Sequence, residues 1–242
     1  MTLSVRPWDL KVIKYLFDVD GTLTPSRQKI DKDFRNWLKA FLKTNLAYLV
    51  TGSDKSKTYE QIGDLYHLFQ RAYQCSGNDV WEQGKNIHTN EIHLPQSLLS
   101  DLDEVLESSK FNRKTGHHID YRPGSINFSI VGRNANLEDR FLYRQWDEHK
   151  DERKSIAIKL SRKYPAYNFQ VAGETGIDIT EIGHGKEQIL TDFPQLDEVI
   201  FFGDMTAPGG NDYDISKKIT ENGGTVYTVR SWEETWSILK SL

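Results

Sequence analysis

Apolar and polar positions along this chain follow two different periods, and the change from one to the other divides it. Val12 to Phe17 is a short, mostly apolar run stopped by Asp18 and Gly21, which predicts a buried strand. Asp31 stands in the position of an N-cap, followed by Phe34, Leu38, Phe41 and Leu42 on one helical face. Leu46 to Val50 predicts another apolar strand, ending at Thr51-Gly52-Ser53, and Ile62, Leu65, Leu68 and Phe69 mark the helix after it. This order of strand, helix, strand and helix argues for a parallel sheet covered by helices.

The middle of the chain changes period. Ile126, Phe128 and Ile130 alternate with Asn127 and Ser129, as in a sheet with one buried and one polar face. Tyr167 to Val171 and Ile177 to Ile182 supply two more short strands, and the charged stretch Asn136 to Tyr164 has helical spacing. The parallel pattern then returns, with apolar runs at Val199 to Phe202 and Thr225 to Val229. Ser231-Trp232-Glu233-Glu234 carries the capping-box pattern for a last helix that turns Trp232, Trp236 and Leu239 inward. The expected fold is α/β, a doubly wound parallel sheet in residues 1–85 and 184–242, interrupted by an inserted α+β cap in 86–183.

Composition narrows the function classes. With 242 residues and 37% hydrophobic content the chain is read as folded, and a formal net charge of −4 gives no general attraction to nucleic acid or an anionic membrane. One cysteine, Cys75, excludes an internal disulfide. Met1 to Asp9 lack the apolar run of a secretory leader, and the longest apolar runs are strand-sized, so the expectation is a soluble, cytoplasmic protein.

The chemistry gathers at strand ends, where open α/β sheets bind ligands. Asp18 and Asp20 leave the first strand one residue apart, and Gly203-Asp204 ends another, with Asp212 following in Gly209-Gly210-Asn211-Asp212. Carboxylates held this close repel one another unless a cation intervenes or one is protonated. Hard oxygen ligands from separate strand ends are what Mg²⁺ requires.

Phe17-Asp18-Val19-Asp20-Gly21-Thr22-Leu23-Thr24 resembles the first motif of haloacid-dehalogenase-like (HAD-like) phosphotransferases. Thr51, Lys186 and Gly203-Asp204 with Asp212 resemble the motifs that follow it, in order. The resemblance implies that Asp18 is the nucleophile and becomes an aspartyl phosphate, with Asp20 as general acid and base. It implies that Thr51, with Gly52 and Ser53, and Lys186 hold the phosphoryl oxygens. Mg²⁺ would be bound by Asp18, the Asp20 backbone carbonyl and Asp204, with Asp212 in the same motif.

A sharper resemblance, to eukaryotic-type phosphomannomutases, rests on Leu23 to Ile30, on Phe201 to Asp212 and on the cap motif Arg122-Pro123-Gly124-Ser125-Ile126-Asn127-Phe128-Ser129-Ile130-Val131-Gly132-Arg133. It implies that Arg122, Arg133 and Arg140 hold the second phosphate of a bisphosphate intermediate, with Arg27 as a core-side partner, since guanidinium forks pair with phosphate oxygens. Asp178 and Asn127 would meet sugar hydroxyls, and Gly176 stands where the family has a serine at the second phosphate. The same resemblance implies a hexose phosphate substrate on the way to GDP-mannose, a hexose 1,6-bisphosphate activator and a homodimer joined through caps. Thr51-Gly52-Ser53 departs from the family's Gly-Gly-Ser, and Lys218 from an acid of its cation loop. Two other readings stay open: a sugar-phosphate phosphatase in which water attacks the aspartyl phosphate, and a catalytically silent sugar-phosphate-binding protein.

Overall fold

The computed structural model describes residues 12–172 and 174–242, so the expectation drawn from Met1 to Asp9 lies outside the described residues. The chain forms two compact units: residues up to His88 together with Gly185–Leu242 make one, and Thr89–His184 make the other.

The first unit begins with β1 (Lys14–Phe17) and α1 (Lys32–Phe41). Asp31 caps α1 as its position predicts, its Oδ1 accepting from the backbone N–H groups of Asp33 at 2.9 Å and Phe34 at 3.0 Å. Phe34 and Leu38, one turn apart, are fully buried on its inner face. β2 (Leu46–Val50) and α2 (Lys55–Ile62) come next. The apolar spacing predicts a helix running on to Phe69, but α2 ends at Gly63 and a 3-10 turn over Gly63–Leu68 carries Leu65 and Tyr66 inward instead. Its three-residue period still keeps Leu65 and Leu68, three apart, on one side.

β3 (Arg71–Gln74), β4 (Asp79–Glu82) and β5 (Lys85–Thr89) complete the first passage, all three short and rich in polar residues, without the apolar run that marks β1 and β2. Within the second unit, α3 (Gln96–Ser108) precedes β6 (Ile119–Arg122) and β7 (Ser125–Phe128). α4 (Leu137–Lys150) and α5 (Glu152–Lys163) fill the charged stretch, separated at Asp151, whose φ is 50°. β8 (Tyr167–Ala172) and β9 (Gly176–Glu181) follow. The chain then returns to the first unit through β10 (Val199–Gly203), α6 (Tyr213–Glu221), β11 (Thr225–Thr228) and α7 (Trp232–Leu239).

The first unit's seven strands lie in the order β11-β10-β1-β2-β3-β4-β5. From β11 to β3 every neighbour is parallel, and β4 turns antiparallel to β3. β1 therefore sits at the reversal of winding, with β2 on one side and β10, which enters only after the second unit, on the other. Both faces are covered: Phe17, Leu49 and Phe202 pack with Phe34 and Leu38 on one, and Leu16, Val50 and Phe201 pack with Ile189, Ile215 and Ile219 on the other. Phe17 stacks on Phe202 at 5.1 Å between ring centroids, matching their register across β1 and β10.

The second unit carries a four-stranded antiparallel sheet in the order β6-β7-β9-β8. Its apolar face, with Ile126, Phe128, Phe169, Ile177 and Ile179, packs against Leu98 and Leu102 of α3, Tyr143 of α4 and Ile156 and Leu160 of α5. The other face is polar, as the alternation around Ile126 predicts, and on it Asn127 and Ser129 are both buried. Polar neighbours cover them, as when Ser129 Oγ donates to the Thr175 carbonyl at 3.0 Å. The capping box expected at α7 does not form. Ser231 makes no side-chain cap bond, and Glu234 Oε2 accepts instead from the Arg230 N–H at 2.9 Å. No helix among the described residues is long and apolar enough to cross a membrane.

Leu38, with no exposed surface on α1, tests this packing. Leu38→Ala is expected to lower unfolding stability by about 2–5 kcal/mol, through lost burial plus the cavity left behind. The urea midpoint should fall at unchanged slope, and an unchanged midpoint would show that α1 does not depend on this contact.

Candidate active site

The reversal of winding beside β1 sets the site. Strands that diverge in their connections leave a crevice beyond their carboxyl ends, and three neighbouring parallel strands deliver polar residues there: β10 leads to Asp204, β1 to Asp18 and β2 to Thr51. The Asp18 N–H donates to the Phe202 carbonyl at 2.9 Å, which keeps the first acid in sheet register. Gly21 has φ of 78°, and a Cβ there would run into Asp204 Oδ2, so the turn after Asp20 passes Asp204 at glycine distance.

Lys186 lies 2% exposed and its Nζ donates to Asp18 Oδ1 at 2.6 Å and to Asp212 Oδ1 at 2.7 Å. Asp212 is fully buried, and its other oxygen accepts from the Met205 N–H at 3.2 Å. Oxygens of Asp18, Asp204 and Asp212 lie within 4.8 Å of one another, a donor set of hard oxygens that suits a divalent cation such as Mg²⁺. Asp20 stands beside them, half-buried. Its Oδ1 accepts from the Arg27 backbone N–H at 2.6 Å and from Gln61 Nε2 at 2.9 Å, and its Oδ2 from Ser53 Oγ at 3.2 Å. Thr51 is buried, its hydroxyl accepting from the Ser53 N–H at 3.1 Å, and Gly52 between them is exposed.

Burial is the largest influence on Asp18 and raises its carboxyl; Lys186 pulls it down, Asp212 and Asp204 push it up, and the balance leaves it pushed up to about 7. Asp204, half-buried and facing Asp212, is raised for the same two reasons. Burial works against the charge on Lys186, but Asp18 and Asp212 together hold its ammonium above the ordinary lysine value.

In the second unit the cap residues meet on the polar face of the four-stranded sheet. Asp120, Asn127 and Asp178 stand in register across β6, β7 and β9. Arg133 Nη1 donates to Asn127 Oδ1 at 3.1 Å, and Asn127 Nδ2 donates to Asp178 Oδ1 at 2.6 Å. Arg122 reaches Asp120 through Nε and Nη2, and its Nη1 lies 4.0 Å from Asp178. Gly176 is buried beside Asn127, and a Cβ there would run into the carboxamide. A serine at this position thus requires Asn127 to move.

Two expected placements differ. Arg27 contributes its backbone amide to Asp20, while its side chain is exposed; its φ of 58° aims the N–H at the carboxylate. Arg140 pairs with Glu174 at 3.6 Å, across from Arg144, instead of joining Arg122 and Arg133. Two residues that sequence reasoning passed over also belong here. Gln61 is buried on α2 and bridges Asp20 and Thr24, a contact without local signal. Asp120 did have one, since its spacing from Arg122 places both on one strand face.

Comparison with known proteins bears on the family of the chain and on its fold. The model of the family described as eukaryotic phosphomannomutase matches residues 34–242. Phosphomannomutase 1 of Homo sapiens is 32% identical over 213 residues, covering 83% of this chain and 81% of the human protein. The phosphomannomutase of Saccharomyces cerevisiae is 30% identical over 242 residues, covering 94% of this chain and 92% of the yeast protein. Among solved structures, an HAD subclass IIB sugar phosphatase overlays with a TM-score of 0.59 at 15% identity, covering 95% of this chain and 98% of that one, a likeness of fold alone. On this fold and at this level of sequence identity, the chain belongs to the eukaryotic phosphomannomutase family.

Proposed function

We propose that this protein interconverts mannose 6-phosphate and mannose 1-phosphate through a phosphorylated Asp18. The observation that carries the proposal is the buried Asp18–Lys186–Asp212 arrangement at the end of β1, in a chain of the phosphomannomutase family. One oxygen of Asp18 is engaged by Lys186, and the other is the candidate to attack phosphorus. As the sugar oxygen leaves, Asp20 gives it a proton; in the reverse direction Asp20 takes the proton from the attacking hydroxyl. The Arg27 amide, Gln61 and Ser53 orient Asp20 for both roles. Thr51, Gly52 and Ser53 are proposed to receive the phosphoryl oxygens with Lys186.

Asp18 and Asp204, with Asp212 and the Asp20 carbonyl, are the proposed Mg²⁺ ligands. When bound, the cation offsets the repulsion between a carboxylate and a phosphate. Arg122 and Arg133 are proposed to hold the phosphate that is not being transferred, with Arg140 released from Glu174 to join them, while Asn127, Asp178 and the backbone at Gly176 meet the sugar. Family membership supports the rest of the reading: a hexose 1,6-bisphosphate activator, a homodimer joined through the 89–184 unit, and cytoplasmic work towards GDP-mannose.

Asp18→Asn should abolish turnover at some cost in stability, the chain still folding because Asp212 continues to pair the Lys186 ammonium. Phosphorus NMR of the parent with mannose 1-phosphate, Mg²⁺ and a trace of glucose 1,6-bisphosphate should show a mannose 6-phosphate signal; inorganic phosphate alone would mean a phosphatase. Arg133→Ala should reduce sugar-phosphate transfer by on the order of tenfold or more, through loss of a charge-assisted phosphate contact, and hydrolysis of a small aryl phosphate much less. Equal losses on both would remove Arg133 from the second-phosphate site.

Attack requires ionised Asp18, whose carboxyl burial pushes up to about 7. Because the pKa is raised, kcat/KM at limiting Mg²⁺ should fall as pH drops through about 7. A cation favours the ionised form, so saturating Mg²⁺ should move that acid limb to lower pH. The profile at two Mg²⁺ concentrations checks this, and a limb that stays in place would argue against Asp18 as a ligand.

A further inference from the structure

We infer that Asp120 is the positioning residue of the proposed second-phosphate site, its carboxylate tying Arg122 and Arg133 into one pre-assembled guanidinium pair. The inference rests on the reading above that these two arginines meet phosphate. A single atom, Asp120 Oδ2, lies 3.2 Å from Arg122 Nε, 3.1 Å from Arg122 Nη2 and 3.2 Å from Arg133 Nη2. Continuing from Arg133 to Asn127, from Asn127 to Asp178, and from Asp178 back to Arg122 closes a ring of five side chains on one sheet face.

Strand register explains why the ring can close. Asp120 is opposite Asn127, and Asn127 is opposite Asp178. Opposed residues on one face of an antiparallel pair lie close enough for their side chains to meet. Arg122 joins from two places along β6, on the same face as Asp120. Arg133 comes from outside the sheet, on a backbone fixed by its N–H donating to the His117 carbonyl at 2.8 Å. Among the five, only Asp120 reaches both arginines within 3.2 Å, hydrogen-bonded to Arg122 and ion-paired to Arg133.

Two guanidiniums brought together repel, and each long side chain loses rotamer freedom when a ligand fixes it. The Asp120 carboxylate answers both problems before substrate arrives. It also lowers the net positive charge of the site, which by itself weakens anion binding. The two effects are separable, because asparagine keeps the acceptor oxygen and drops the charge, whereas alanine drops both. Asn and Ala variants carry the same charge and differ in the tether.

The test is steady-state sugar-phosphate transfer by the full chain with Asp120→Asn and Asp120→Ala, with Arg133→Ala measured beside them. The tether predicts a KM for Asp120→Ala about tenfold above that of Asp120→Asn, the size of a lost hydrogen bond to a charged group. It also predicts kcat values for the two that agree within a few-fold. A merely structural defect would instead lower kcat or the folded fraction without this split in KM. Equal KM values in the two Asp120 variants would overturn the inference, as would a loss confined to kcat. If Arg133→Ala leaves the sugar-phosphate KM unchanged, the second-phosphate reading itself falls. If Arg133→Ala raises KM and the Asp120 variants do not differ, only the positioning role falls.

Discussion

The ammonium of Lys186, buried between the carboxylates of Asp18 and Asp212, is the interaction on which the arrangement of the first unit depends. Removing one partner of a buried ion pair leaves an uncompensated charge, at a cost of about 3–5 kcal/mol. Asp18 comes from the first passage of the chain, and Lys186 and Asp212 from the second, so the contact exists only once β10 has docked beside β1. The same docking stacks Phe17 on Phe202. Apolar packing of the sheet and charge compensation at its end are thus two results of one strand pairing.

One ammonium faces three carboxylates there, those of Asp18, Asp204 and Asp212. Burial first, and the neighbouring acids after it, keep Asp18 and Asp204 above the ordinary carboxylate range. Such a set of hard oxygens suits a divalent cation, which would relieve the repulsion among the acids. Asp20, two residues after Asp18, is held by three donors from elsewhere in the unit, so the two acids of one short motif occupy unlike environments. This difference underlies the proposed division of labour, bond formation to phosphorus at one acid and proton exchange at the other.

The second unit handles charge differently. Its sheet buries one face against three helices and gathers polar side chains on the other. There Arg122 and Arg133 are matched by Asp120 and Asp178, so the group is formally neutral. Selectivity for an anion on such a face comes from oriented donors, since net charge supplies little.

The parallel strands, the module that interrupts them and the acids at the strand ends were all legible in the order of residues. These are local signals: apolar runs of strand length in β1, β2 and β10, alternation around Ile126, and acids placed directly after an apolar run. The polar strands β3 to β5 carried weaker periods and were not legible, whereas α3 carries a clear helical period in Leu98, Leu102 and Val105 that the sequence reading passed over. Tertiary structure alone decided that Gln61 supports Asp20, that Arg27 serves through its amide, that Arg140 faces Glu174, and that Asp120 gathers two arginines. The physical reason is that each depends on register or backbone angle between segments distant along the chain, and a local period specifies which face a residue occupies without specifying what stands opposite it.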